Sequence, residues 1–116
     1  MLARRNLLSV LNQFSELQVR LLAIGGTALV LRGVKEGTMD LDFVAENETD
    51  YGKFLDFSTR LGFEVKEYRE GWTRLKGPVV IELFLERVRD VRISERMVSR
   101  CSRDLIRFGE FEILPL

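Results

Sequence analysis

Residues 21–43 read LLAIGGTALVLRGVKEGTMDLDF. The run VRLLAI (residues 19–24) has the compact, mostly apolar character of a buried strand, and it breaks on Gly25-Gly26. A short helix, ALVLR, is expected after Thr27 and is ended by Gly33. Gly37-Thr38 then leads into a second strand, MDLDFVA. Residues two apart on a strand face the same way, so this reading projects Asp40 and Asp42 together and sends Leu41 and Phe43 to the other side. Two ionised carboxylates on one face repel each other unless a cation sits between them. Their spacing suits a metal pair roughly 3.5–4 Å apart, as used in phosphoryl transfer. A solvated strand face is the plainer account of the same D-x-D. The glycines favour the first: they leave backbone N–H groups open to a phosphate at the helix start. A tight strand-to-helix turn would also need them.

The flanking sequence supplies the rest of a mixed fold. Residues 2–17 place Leu7, Leu11 and Phe14 on one helical stripe, with Val10 and Leu17 beside it. Asn47 or Thr49 can cap a helix carrying Tyr51, Phe54, Leu55, Ser58 and Leu61 on one face, stopped by Gly62. FEVKEY, WTRLK and VVIELFL read as strands, the first two joined through REG and the last preceded by Gly77-Pro78. Ser94 is expected to cap a helix reaching Phe108, and FEILPL to close the chain as a strand. The order predicts an α/β (α+β) fold of two layers, helices packed on a mixed sheet, in a single domain over residues 1–116.

Composition narrows the chemistry. The 116 residues include no histidine, which excludes Ser-His-Asp and Cys-His triads and the usual zinc sites. Carboxylates and oxygen-bound divalent ions remain, pointing to Mg2+ or Mn2+. The formal net charge is zero, so any affinity for nucleic acid must be local. The single Cys101 cannot form an internal disulfide and reads as a small core residue. No apolar run approaches the ~20 residues that span a bilayer, so the chain reads as cytoplasmic, with no membrane partner.

IGGTALVLRG followed by TMDLDF resembles the DNA polymerase beta-type nucleotidyltransferase superfamily, and within it the small branch of AbiEii-type toxins and their relatives. The resemblance implies transfer of a nucleoside monophosphate from an NTP to a hydroxyl acceptor by a two-metal mechanism; transfer RNA and a protein are the candidate acceptors. Carried over, Gly25, Gly26 and Thr27 hold the triphosphate, with Lys35 and Thr38 beside them, while Asp40 and Asp42 hold the metal ions. The third carboxylate is best assigned to Glu82, an acid interrupting the apolar strand VVIELFL; a Glu–Arg pair is the alternative for it. Glu36 stands where relatives often carry arginine, and many relatives continue beyond a strand like FEILPL into further helices. Those departures favour a second reading, a catalytically silent copy acting as a binding or assembly module in a toxin–antitoxin-like pair.

One basic segment stands out. Between Glu86 and Arg107 seven arginines exceed four acids, a local excess of three positive charges. Arg92, Arg96, Arg100, Arg103 and Arg107 fall at helical spacings, opposite Met97, Cys101, Leu105 and Phe108. This stripe is either a solvated helix face or a phosphate-contacting surface for an RNA acceptor. A protein partner or a second copy of the chain is equally compatible. Trp72 and Phe63 are expected in the core.

Overall fold

The computed structural model covers residues 1–116. In chain order the elements are β1 (Leu2–Ala3), α1 (Arg4–Asn12), β2 (Arg20–Ala23), α2 (Gly25–Leu31), β3 (Gly37–Thr38), β4 (Leu41–Ala45) and α3 (Glu48–Arg60). There follow β5 (Glu64–Arg69), β6 (Trp72–Lys76), β7 (Val80–Leu85), β8 (Arg87–Val88), β9 (Val91–Arg92), α4 (Glu95–Cys101), β10 (Ile106–Phe108) and β11 (Phe111–Pro115). Seven strands form one mixed sheet in the order β10-β11-β2-β4-β7-β6-β5. β11 with β2 and β4 with β7 are its parallel pairs. The expected mixed sheet with helices packed on it is the observed architecture. No helix is long and apolar enough to cross a membrane.

Alternation along the strands divides the sheet into two faces. Leu21 and Ala23 of β2, Leu41, Phe43 and Ala45 of β4, Ile81 and Leu83 of β7, and Phe111 and Ile113 of β11 share the main core with Leu7, Leu11 and Phe54 of the helices. The intervening Leu22, Val44 and Leu114 form a smaller cluster on the opposite face, covered by Val88, Ile93 and Val98. Asn47 caps α3 as expected, its Oδ1 accepting from the Asp50 N–H at 2.8 Å.

Three expectations about boundaries are corrected, and one element is added. α1 stops at Asn12, and i→i−3 bonds carry the chain on to Leu17, so Phe14 and Leu17 still reach the core without a continued α-helix. α2 opens at Gly25, ahead of Thr27. The segment 87–92 forms the small β8–β9 hairpin, which no pattern in the sequence announced. α4 ends at Cys101, and 106–108 is a strand rather than the last turn of a helix. Ile106 and Phe108 both pack against the main core, a period-2 pattern that i, i+3 spacing had concealed. The turn after them needs glycine: Gly109 has φ +63, and a Cβ there would meet the Ser15 carbonyl oxygen at 2.6 Å.

Candidate active site

β4 and β7 run parallel with Asp42 and Glu82 as Cα partners, so neighbouring strands bring the two carboxyls to one face. Both are half-buried. Asp42 Oδ1 is buried and has no hydrogen-bond partner. Burial, the Glu82 carboxyl within hydrogen-bonding reach, and the charges of Glu82 and Asp40 push Asp42 up to about 7. Two carboxylates supply only acceptors, so they can bond each other only by sharing a proton.

No arginine or lysine relieves them. The six ion pairs of the chain include none of Asp40, Asp42 or Glu82. Arg74 stands opposite Glu82 in the β6–β7 ladder without forming an ion pair with it, so the structure does not show the Glu–Arg alternative.

Asp40 is placed differently from the sequence expectation. It lies on a bend before β4, half-buried, rather than on the strand with Asp42. The cause is local hydrogen bonding. Thr38 Oγ1 donates to the Asp40 carbonyl at 3.0 Å and Thr27 Oγ1 donates to it at 3.4 Å. Thr27 Oγ1 also accepts from the Asp42 N–H at 2.9 Å. Two threonine hydroxyls thus occupy backbone groups that a continuous ladder would have used.

Thr27 is fully buried and Thr38 nearly so, and both hydroxyls are engaged with the aspartate segment, not turned outward to a nucleotide. Gly25 lies against the site: a Cβ on it would sit 3.6 Å from Asp42 Oδ2. A Cβ on Gly26 would meet Thr38 Oγ1 at 2.8 Å, so this position requires close backbone approach. The Lys35 ammonium lies 3.6 Å from that same point, which hangs an exposed cation over the turn.

An orphaned, buried carboxylate oxygen beside a second carboxyl, in an all-oxygen donor set, fits a hard divalent cation. No group of three acidic, histidine or cysteine side chains converges on one point. The pair Asp42–Glu82 is therefore the nucleus, with Asp40 close enough for its charge to act on Asp42.

Thr27→Val tests how the segment is held. It removes the acceptor for the Asp42 N–H and a donor to the Asp40 carbonyl from a fully buried position. We expect a loss of about 1–3 kcal/mol in stability, together with a smaller thermal shift on adding Mg2+. An unchanged melting temperature and Mg2+ response would show that the hydroxyl positions nothing.

Two clefts meet at Glu82. One, of about 520 Å³, opens onto Asp42 and Glu82 between Ile24, Phe84 and the hairpin residues Val88 and Arg89. The other, of about 790 Å³, runs from Glu82 and Phe84 to Trp72, Arg69 and Arg87. Phe63 is in the core as expected, but Trp72 is half-buried at this second cleft. Phe84 stands outside the sequence reading, and its signal is its place two residues beyond Glu82 on the same strand; Arg89 is one of the seven arginines of the basic segment, outside its helical stripe.

The expected arginine stripe is dispersed. Arg92 lies on β9, Arg96 and Arg100 on α4, Arg103 in a 3-10 turn, and Arg107 on β10, where it bonds Glu112 at 2.9 Å. They do not share one helix face.

No protein-family model matches the sequence, and no curated protein matches it. Solved structures do match the fold. ANT(2")-Ia, in complex with adenylyl-2"-tobramycin, superposes with a TM-score of 0.59 at 20% identity, covering 79% of this chain and 55% of that one. A candidate nucleotidyltransferase from Thermotoga maritima gives 0.60 at 15% identity over 97% of this chain and 76% of that one. A tRNA nucleotidyltransferase, complexed with a primer tRNA and an incoming ATP analog, gives 0.52 at 24% identity over 75% and 26%. The fold is that of nucleotidyltransferases. The chain spans about half the length of the first of these proteins and about a quarter of the last.

Proposed function

We propose that this chain is a metal-dependent nucleotidyltransferase domain whose reaction centre is Asp42 and Glu82, joined by Asp40. The observation that carries this reading is the in-register Asp42–Glu82 pair, with a buried orphan oxygen and neither carboxyl in an ion pair. Its likeness in fold to nucleotidyltransferases supports it. In the reaction, an acceptor hydroxyl attacks the α-phosphorus of an NTP. The new O–P bond forms as the α–β phosphoanhydride bond breaks, and its electron pair leaves with pyrophosphate.

In this reading Glu82, which lines both clefts, takes the hydroxyl proton. Mg2+ or Mn2+ held by Asp40, Asp42 and Glu82 would supply Lewis-acid stabilisation of the attacking and leaving oxygens. Gly25 and Gly26 let phosphate approach, and Lys35 adds positive charge over that turn. Thr27 and Thr38 act one step back, holding the aspartate segment by its backbone. The AbiEii-like stretch 24–43 supports a toxin–antitoxin-like setting, with transfer RNA or a protein as acceptor.

A silent binding module is favoured by one observation, that three carboxylates do not converge on a point. Incubation with each labelled NTP, Mg2+ or Mn2+, and bulk transfer RNA separates the two. We expect metal-dependent label transfer that disappears in Glu82→Gln; nucleotide binding without transfer would support the silent module instead.

A further inference from the structure

The second cleft has a chemistry of its own. In the β6–β7 ladder Trp72 is opposite Phe84, and in the β5–β6 ladder Arg69 is opposite Trp72. Cross-strand partners share a face, so Phe84, Trp72 and Arg69 form a row beside Glu82. The Arg69 guanidinium lies 5.1 Å from the centre of the Trp72 ring. The β8–β9 hairpin brings Arg87 and Arg89 to the same cleft, and neither is in an ion pair. The small core on this face covers Leu22, Val44 and Leu114 but does not include Trp72, which is left half-buried.

A flat aromatic flanked by guanidinium groups is complementary to a nucleobase that carries a phosphate. The cleft also holds Glu48, Glu70 and Glu86. With Glu82 they set four carboxylates against three guanidiniums in the cleft, a balance that disfavours a long run of phosphates laid along it. Resting on the nucleotidyl-transfer reading of Glu82, we propose that this cleft receives the terminal unpaired nucleotide of a single-stranded nucleic acid. Its base stacks on the platform made by Trp72 and the Arg69 guanidinium over it, its phosphate meets Arg87 and Arg89, and its terminal hydroxyl faces Glu82.

Trp72 is the chain's one tryptophan, so its intrinsic fluorescence reports the cleft directly. Titration of the full chain with hexauridylate is expected to give saturable quenching that weakens with added salt, and a duplex of equal length is expected to quench less. By anisotropy of a dye-labelled hexauridylate, Trp72→Ala should weaken binding roughly 5- to 100-fold. Trp72→Phe, which keeps a stacking ring, should change it by less than about threefold, and Arg87→Gln with Arg89→Gln should weaken it without disturbing the core. Absence of quenching, equal affinity in Trp72→Ala with a native melting curve, or preference for the duplex would overturn the assignment.

The chemistry is scored separately. Asp42→Asn should bind the oligonucleotide as the unmodified chain does while losing transfer. Label transfer to some other hydroxyl without hexauridylate quenching would sink this acceptor and leave nucleotidyl transfer standing. Trp72-dependent binding without transfer of any nucleotide would do the reverse.

Discussion

In metal-free buffer at pH 8, Asp42→Asn is expected to melt roughly 5–10 °C above the unmodified chain while losing nucleotidyl transfer on the order of 10³-fold. The two effects have one origin. Burial, then the Glu82 carboxyl and the charge of Asp40, push Asp42 from 3.8 to about 7. The unfolded chain gives up this proton near 3.8 and the folded chain holds it to about 7. Between those values the folded state binds more protons, so the contribution to stability is full below the unfolded value and is lost as pH rises through about 7. Allowing for solvent screening of a half-exposed pair, the loss is on the order of 2 kcal/mol.

Asparagine has no charge to bury and offers an amide donor to Glu82, so it escapes that loss. It also removes the carboxylate that would hold the cation. Melting curves at pH 5 and pH 8, each with chelator and with Mg2+, check both halves. The gap between variant and unmodified chain should narrow at pH 5, where Asp42 is already protonated, and Mg2+ should stabilise only the unmodified chain at pH 8. A variant that melts lower at pH 8 in chelator would make the aspartate a structural residue.

The parts of this molecule that can be read from sequence are those decided by neighbours in the chain. Gly25-Gly26, the two strands around them and the Asn47 cap follow from local backbone and side-chain chemistry, and the structure contains them. Glu82 stood out because an acid in an apolar strand is costly, and its strand does lie next to Asp42. The register that makes the two residues partners is a pairing across 40 positions, which periodicity does not encode.

Asp40 illustrates the opposite limit. D-x-D gives a shared strand face only if both residues are on the strand, and hydroxyls from Thr27 and Thr38 bend the chain one residue too early. Thr27 comes from the glycine turn 13 residues back. The arginine stripe failed for a related reason: i, i+3 and i+4 spacings also occur by chance in a segment cut by a 3-10 turn and a hairpin. Hydrophobicity alone puts Trp72 in the core, but it does not show which end of a sheet face lacks a covering helix.

The opposite face of the sheet should govern stability without governing the site, and Phe14→Ala is the variant that separates them. Phe14 is fully buried, stacked on Phe54 at 4.8 Å between ring centroids, with Phe111 at 5.4 Å, Phe57 at 5.7 Å and Phe63 at 6.3 Å. Its ring joins the tail of the first helix to α3 and to β11, so no single element can move in to fill the space it leaves. Truncation is expected to cost about 3–5 kcal/mol, against a total of roughly 5–15 kcal/mol for a domain of ordinary stability.

Urea denaturation should show this as a lower midpoint with an unchanged slope, since the folded state exposes no new surface. Asp42 and Glu82 face away from this cluster on their strands, so the molecules that remain folded should keep the same Mg2+-dependent gain in melting temperature. If that gain disappeared with the ring, the aromatic core would be coupled through the sheet to the carboxylates. The two faces would then be one cooperative unit, and not a scaffold carrying a separable site.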